Sequence, residues 1–195
     1  MAIIGLKYFA VAPLSTETDG SEPTYGTGMQ VGHLMRADLS WTRGDVSLYG
    51  DNVEVEHDNT INSGSLTIGT TYLSIDGRKA LLGEAEFGTP ATGEVQEYAT
   101  YDEPAPYVGC GYVTKDSGDG TPTYIGWWYY KVQFGMDENA NTRGENTEYQ
   151  APEMTGTILA VRPKSDLKNT FRIFAEFSTE AAAIAWVQDK AGISA

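Results

Sequence analysis

Over much of the chain apolar residues recur at every second position, the period of a strand whose neighbouring side chains face opposite sides of a sheet. Ser65 to Leu73 sets Leu66, Ile68, Thr70 and Tyr72 against Thr67, Gly69, Thr71 and Leu73. Tyr124 to Phe134 predicts a longer strand, with Tyr124, Trp128, Tyr130, Val132 and Phe134 pointing one way. Met154 to Val161 and Thr170 to Phe177 follow the same rule, the second aligning Phe171, Ile173, Ala175 and Phe177. Glu94 to Tyr101 and Tyr107 to Thr114 are further strands, and Asp116-Ser-Gly-Asp-Gly-Thr-Pro122 is a turn. Helical patterning is confined to two places. Asp76 to Gly83 predicts a short flanking helix, capped by Asp76 and stopped by Gly83. Near the end, about 178–191 predicts a helix with Ala183, Trp186 and Val187 on one face and Gly192 as its stop. Two stretches read as loop-like and extended: an N-terminal arm over about 13–28 and a long loop over about 44–64. Connections beyond ~12–15 residues are usually functional or disordered. The expected class is therefore mainly β, with one domain spanning residues 1–195.

Composition sharpens this. With 41% hydrophobic and 21% charged residues the chain can build a core without disulfides or metal, which excludes generic disorder. Lys plus Arg number 13 against 27 Asp plus Glu, a net charge of −14. That surplus opposes tight binding of nucleic acid, whose phosphates need cations. The single cysteine, Cys110, lies in the apolar run Tyr107-Val-Gly-Cys-Gly-Tyr112 and reads as a small buried hydrophobe. Met1 to Leu14 is fairly apolar, but Lys7 interrupts it and no basic residue opens it, so it does not read as a secretory leader. No stretch approaches the ~20 apolar residues of a membrane span. A soluble, cytoplasmically made protein is expected.

Catalytic motifs are scarce. His33 and His57 have no histidine or cysteine companions at metal-ligand spacing. Gly26-Thr-Gly-Met-Gln-Val-Gly32 has one residue too many for a dinucleotide loop. Asp137, Asn139, Asn141 and Glu148 fall at calcium-loop positions, but Thr142 replaces the required glycine, so a polar turn between strands is the better reading. No cofactor and no metal are expected, and no enzymatic activity. In Trp127-Trp-Tyr-Tyr130 only alternate rings share a face. One pair belongs to a core, and the other suits a subunit interface (Trp127 with Tyr129) or a carbohydrate platform. Charge is uneven as well. Glu84 to Asp119 holds eight acids and only Lys115, whereas Arg162 to Arg172 holds four bases and only Asp166. Complementary surfaces of this kind can join copies head to tail.

Several short motifs, in order, resemble segments of the major tail proteins of long non-contractile-tailed phages. They are Gly5-Leu-Lys-Tyr8, Thr24-Tyr-Gly-Thr27, Ser47-Leu-Tyr-Gly-Asp-Asn52, Ala80-Leu-Leu-Gly83, Pro106 to Tyr112, Tyr129 to Phe134, Gln150 to Thr157 and the closing Ala-rich helix. The resemblance implies a tail-tube fold, two packed β-sheets in a sandwich or barrel-like form with a flanking helix, similar to the tube protein of type VI secretion. It implies rings of six stacked into a tube in the virion, assembled in the host bacterial cytoplasm. The implied partners are the protein itself, a tape measure protein, and tail terminator and distal tail proteins. Double-stranded DNA would pass through without specific binding. On family position the arm and loop become candidate contacts between rings, through Tyr25, Asp51, Val53, Glu54, Val55 and Glu56, ordering only on assembly. Trp127, Tyr129, Arg162 and Lys164 are candidate contacts between subunits. The alternative is a carbohydrate-binding β-sandwich on a phage or cell surface. A small β-rich hydrolase using carboxylates ranks third.

Overall fold

Strands form where the alternation is clearest, and also where it is absent. The computed structural model describes residues 3–44, 46–50, 53–86, 97–98, 104–118, 122–135, 152–166 and 168–193, with backbone alone for 3, 46–50, 53–58, 85–86 and 97–98. In chain order the elements are β1 (Ile3–Thr16), β2 (Thr24–Tyr25), β3 (Met29–Gln30), β4 (Leu34–Arg43), β5 (Val46–Gly50), β6 (Val53–Asp58), β7 (Ile61–Thr70), α1 (Ile75–Leu82), β8 (Ala85–Glu86), β9 (Glu97–Tyr98), β10 (Tyr107–Asp116), β11 (Thr123–Phe134), β12 (Glu153–Ile158), β13 (Arg172–Phe177) and α2 (Glu180–Ala191). The protein is mainly β.

Nine strands share one antiparallel sheet in the order β2-β1-β10-β11-β12-β7-β4, with β3 added on β1 and β13 on β11. The long strand β11 is where the sheet forks. Its first half, Tyr124 to Tyr129, pairs with β13, and its end, Val132 to Phe134, pairs with β12. Between these halves the register against β10 jumps from Cys110↔Tyr129 to Val108↔Val132, leaving two residues of β11 opposite one of β10. That is a β-bulge, and it turns the strand over. Tyr130 therefore joins Trp128 on one face while Val132 and Phe134 join the opposite core. The single alternation predicted from Tyr124 to Phe134 is corrected accordingly.

The fork gives the molecule two cores. One lies between β1-β10-β11 and β12-β7-β4, closed by α1, and contains Phe9, Val11, Leu66, Ile68, Leu81, Val108, Cys110, Tyr129, Phe134 and Met154. The other lies under α2, whose Ala183, Val187 and Ala191 cover Ala10, Ala12, Val113, Trp128 and Tyr130. Both helices stop at glycines in the left-handed conformation, Gly83 (φ 74°) and Gly192 (φ 66°), as expected. The first cap differs from expectation. Ser74, not Asp76, is the N-cap of α1, its Oγ accepting from the Gly77 N–H at 3.1 Å, while Asp76 sits in the first turn. Tyr72 leaves the face it was assigned to, because β7 ends at Thr70 and Tyr72 is exposed. Phe171 lies just before β13 and packs on Trp41 of the first core, apart from Ile173 and Phe177 of the second.

The two predicted loops are the larger corrections. Within 44–64, β5 and β6 pair from Val46↔Asp58 to Gly50↔Val53, and β7 begins at Ile61. This hairpin prolongs the β4–β7 ladder, which runs to Arg43↔Ile61. The arm over 13–28 is also built in. β1 continues to Thr16, β2 pairs back onto it, and the Gly20 and Gly26 N–H groups donate to the Arg162 and Pro13 carbonyls at 3.0 and 2.9 Å.

Candidate assembly interface

The aromatic segment of β11 is covered on both of its faces. Trp128 and Tyr129 are fully buried and Tyr130 nearly so. Trp128 lies across Gly109 and Gly111 of β10, where an added Cβ would come within 2.6 Å of its ring at either position. Tyr25 completes the packing. Its ring meets Trp128 edge-on, with centroids 5.3 Å apart and planes at 82°. Its hydroxyl donates to the Tyr130 carbonyl at 2.8 Å and accepts from Trp128 Nε1–H at 3.3 Å. Tyr25, the candidate for a contact between rings, is thus also held by its own chain. Tyr129, a candidate contact between subunits, is instead fully buried: it stacks on Tyr112 inside the first core, with hydroxyls 3.1 Å apart. Burial raises the pKa of Tyr25, Tyr112 and Tyr129 and pushes Tyr130 up to about 12. Burial also pushes the Cys110 thiol up, as befits a small core hydrophobe.

Trp127 is different. It is half-buried, its Nε1–H donating to Thr114 Oγ1 at 2.9 Å. Its ring lies 5.1 Å from that of Phe174, and the Arg172 guanidinium stands 4.6 Å from its centroid. Arg172 also reaches the Trp41 ring at 5.7 Å, so one cation ties β13 to β4 across the fork. Phe174 remains 53% exposed. Among the described residues β13 hydrogen-bonds on one side only, to β11, and β4 only to β7. These two open edges, and Phe174 on one of them, were not predicted.

The charged stretches divide unequally. Arg162 lies at the surface, 3.4 Å from Asp19, and donates to the Ser165 carbonyl at 2.6 Å. Lys164 is exposed. In the acidic run the two acids whose side chains are described, Glu84 and Asp116, are both buried. Glu84 is buried against Arg78, accepting two hydrogen bonds at 2.7 and 2.8 Å, and the buried Asp116 accepts from the Gly118 N–H at 2.9 Å. Of the hairpin candidates, Val53, Glu54, Val55 and Glu56 are placed on β6 by backbone, and Asp51 lies outside the described residues. Asp137, Asn139, Asn141 and Glu148 lie outside them as well. His33 is exposed, edge-on to Tyr72 at 6.4 Å.

The arrangement thus concentrates its rings inside and leaves edges, a hairpin and charges outside. Among the described residues no helix is long and apolar enough to cross a membrane. Neither a protein-family model nor a curated protein matches the chain.

Proposed function

We propose that the chain is a structural subunit that assembles with copies of itself into stacked six-membered rings, forming a hollow tail tube through which phage DNA leaves the virion. The observation that carries this reading is the β5–β6 hairpin. It extends the β4–β7 ladder, and among the described residues its strands pair with each other alone. A lone two-stranded ribbon is marginally stable in water. It gains stability when another molecule covers it.

The sheet edges support the same conclusion. An edge with unpaired N–H and C=O groups is a template for another strand, and β4 and β13 both offer one. Pairing unlike edges of successive copies is a heterologous contact, which closes into a ring at the right rotation. Charge gives the tube its property. Six copies at −14 each bring a formal −84 to a ring, and any share of it on the inner wall repels phosphates within a Debye length of ~8 Å. DNA then slides without adhering. The tape measure, terminator and distal tail proteins enter as partners through the motif resemblance. The carbohydrate alternative is less well supported, because Trp128, Tyr129 and Tyr130 are buried and Trp127 lies beneath Phe174 and Arg172.

Electron microscopy of the concentrated protein tests this reading. Rings or tubes are expected. Monomers that persist as concentration rises, or tubes that retain duplex DNA at physiological salt, would overturn it.

A further inference from the structure

At the root of the hairpin the structure opens a cleft of about 710 Å³. Ile61 and Asn62 of β7 form one wall, and Arg162, Lys168, Asn169 and Phe171, from the segment joining β12 to β13, form the other. Between Ala160 and Arg172 that segment holds four bases and a single acid, in a protein whose net charge is −14. Arg162 is partly committed to Asp19, which is largely exposed. Lys168, which lines the cleft, and Lys164, which lies in the same segment outside the lining, are exposed and form no ion pair among the described residues. The cleft is thus a cationic concavity with an apolar floor from Ile61 and Phe171.

We propose, on the premise of the self-assembly argued above, that this cleft is the socket for the acidic hairpin of a second copy. From Val46 to Asp58 the sequence holds Asp51, Glu54, Glu56 and Asp58 and no Lys or Arg. The hairpin of the same molecule cannot fill it. The ladder runs from Val46↔Asp58 at the root to Gly50↔Val53 at the tip, and five residues at ~3.4 Å each hold the tip about 15 Å away. A tip excluded from its own socket but complementary to a neighbour's makes a heterologous contact that passes from copy to copy. Opposite charges across it speed encounter and weaken as salt is added.

Charge exchange tests this with the full-length chain. One variant carries Glu54→Lys and Glu56→Lys; the other carries Lys164→Glu and Lys168→Glu. Each alone should melt like wild type and need about tenfold more protein to assemble at low salt. Their equimolar mixture should assemble nearly as wild type, because reversed tips meet reversed sockets and native tips meet native ones. Variants that assemble normally, or a mixture no better than its components, overturn the socket. If wild type forms tubes in that case, the tube assignment stands without this contact. If wild type never self-associates, both fall. Equal binding of the wild-type cleft to duplex DNA fragments, competing with assembly, would also count against a hairpin as its occupant.

Discussion

Tyr25→Phe removes one oxygen and separates internal packing from contact between copies. That oxygen joins β2 to β11, accepting from Trp128 Nε1–H at 3.3 Å and donating to the Tyr130 carbonyl at 2.8 Å. Trp128 is fully buried, so water cannot replace the missing acceptor. A buried polar group left without a partner costs roughly 1–3 kcal/mol. Two such groups, one of them in a long bond, give about 2–4 kcal/mol for the substitution. In a chain of this size each kcal/mol lowers the melting temperature by about 2–4 °C, so a fall of about 5–15 °C is expected. The ring remains, and with it the edge-on contact with Trp128. Calorimetric melting of the dilute subunit reads the first effect. The concentration at which light scattering rises, measured well below both transitions, reads the second. Melting should fall and the assembly threshold should hold. The opposite pair of results, unchanged melting with weakened assembly, would place Tyr25 between copies and refute the packing argument.

Four other outcomes follow from the same structure. Gly111→Ala puts a Cβ 2.4 Å from the Trp127 carbonyl oxygen, a backbone atom that cannot move without disturbing the β10–β11 ladder, and should destabilise by about 3 kcal/mol. Gly135→Ala, whose Cβ would meet nothing among the described residues nearer than 3.7 Å, is the control and should melt within about 2 °C of wild type. Stability should decline from about pH 10 to 12, because unfolded tyrosines then lose protons that buried Tyr130, with its pKa near 12, retains; melting that is flat across this window would contradict the burial. Replacing residues 46–58 by a two-residue turn should leave a folded subunit that forms no tubes, since the Gly44 N–H already bonds the Thr60 carbonyl at 2.8 Å and can close the shortened hairpin.

How far the fold can be read from the sequence depends on whether each element has one apolar side. β7, β12 and α2 do, and their core residues Leu66, Ile68, Met154, Ile158, Ala183 and Val187 are recognisable by period. β1 has none to spare. Phe9, Ala10, Val11 and Ala12 are all fully buried, alternately in the two cores, so the run lacks alternation and is easily taken for a leader. The hairpin fails in the opposite way. Val53-Glu-Val-Glu56 alternates correctly, yet so short and acidic a segment has the composition of a loop. The bulge in β11 is silent because rings occupy every position from Trp127 to Tyr130, and no polar residue marks where the strand turns over. The aromatic cluster therefore looks like a binding platform when it is the joint between two cores.

The surface has its own logic, and it explains why Arg162 is identifiable from the sequence while the cleft it lines is not. Four bases among many acids stand out in a linear count, but a concavity needs Ile61 and Asn62, which only the β7–β12 pairing brings alongside. The same pairing sets the root of the hairpin beside that cleft. A molecule that builds its acidic projection and its basic recess on one ladder fixes the distance between them in its own backbone. Every copy then presents the two at the same spacing, which is what the proposed assembly requires of a repeating contact. Lengthening β5 and β6 by two residues each should move the tip outward by ~7 Å without touching either charge set. If spacing governs assembly, that insertion should damage it as severely as reversing the charges, while leaving the melting of the subunit unchanged.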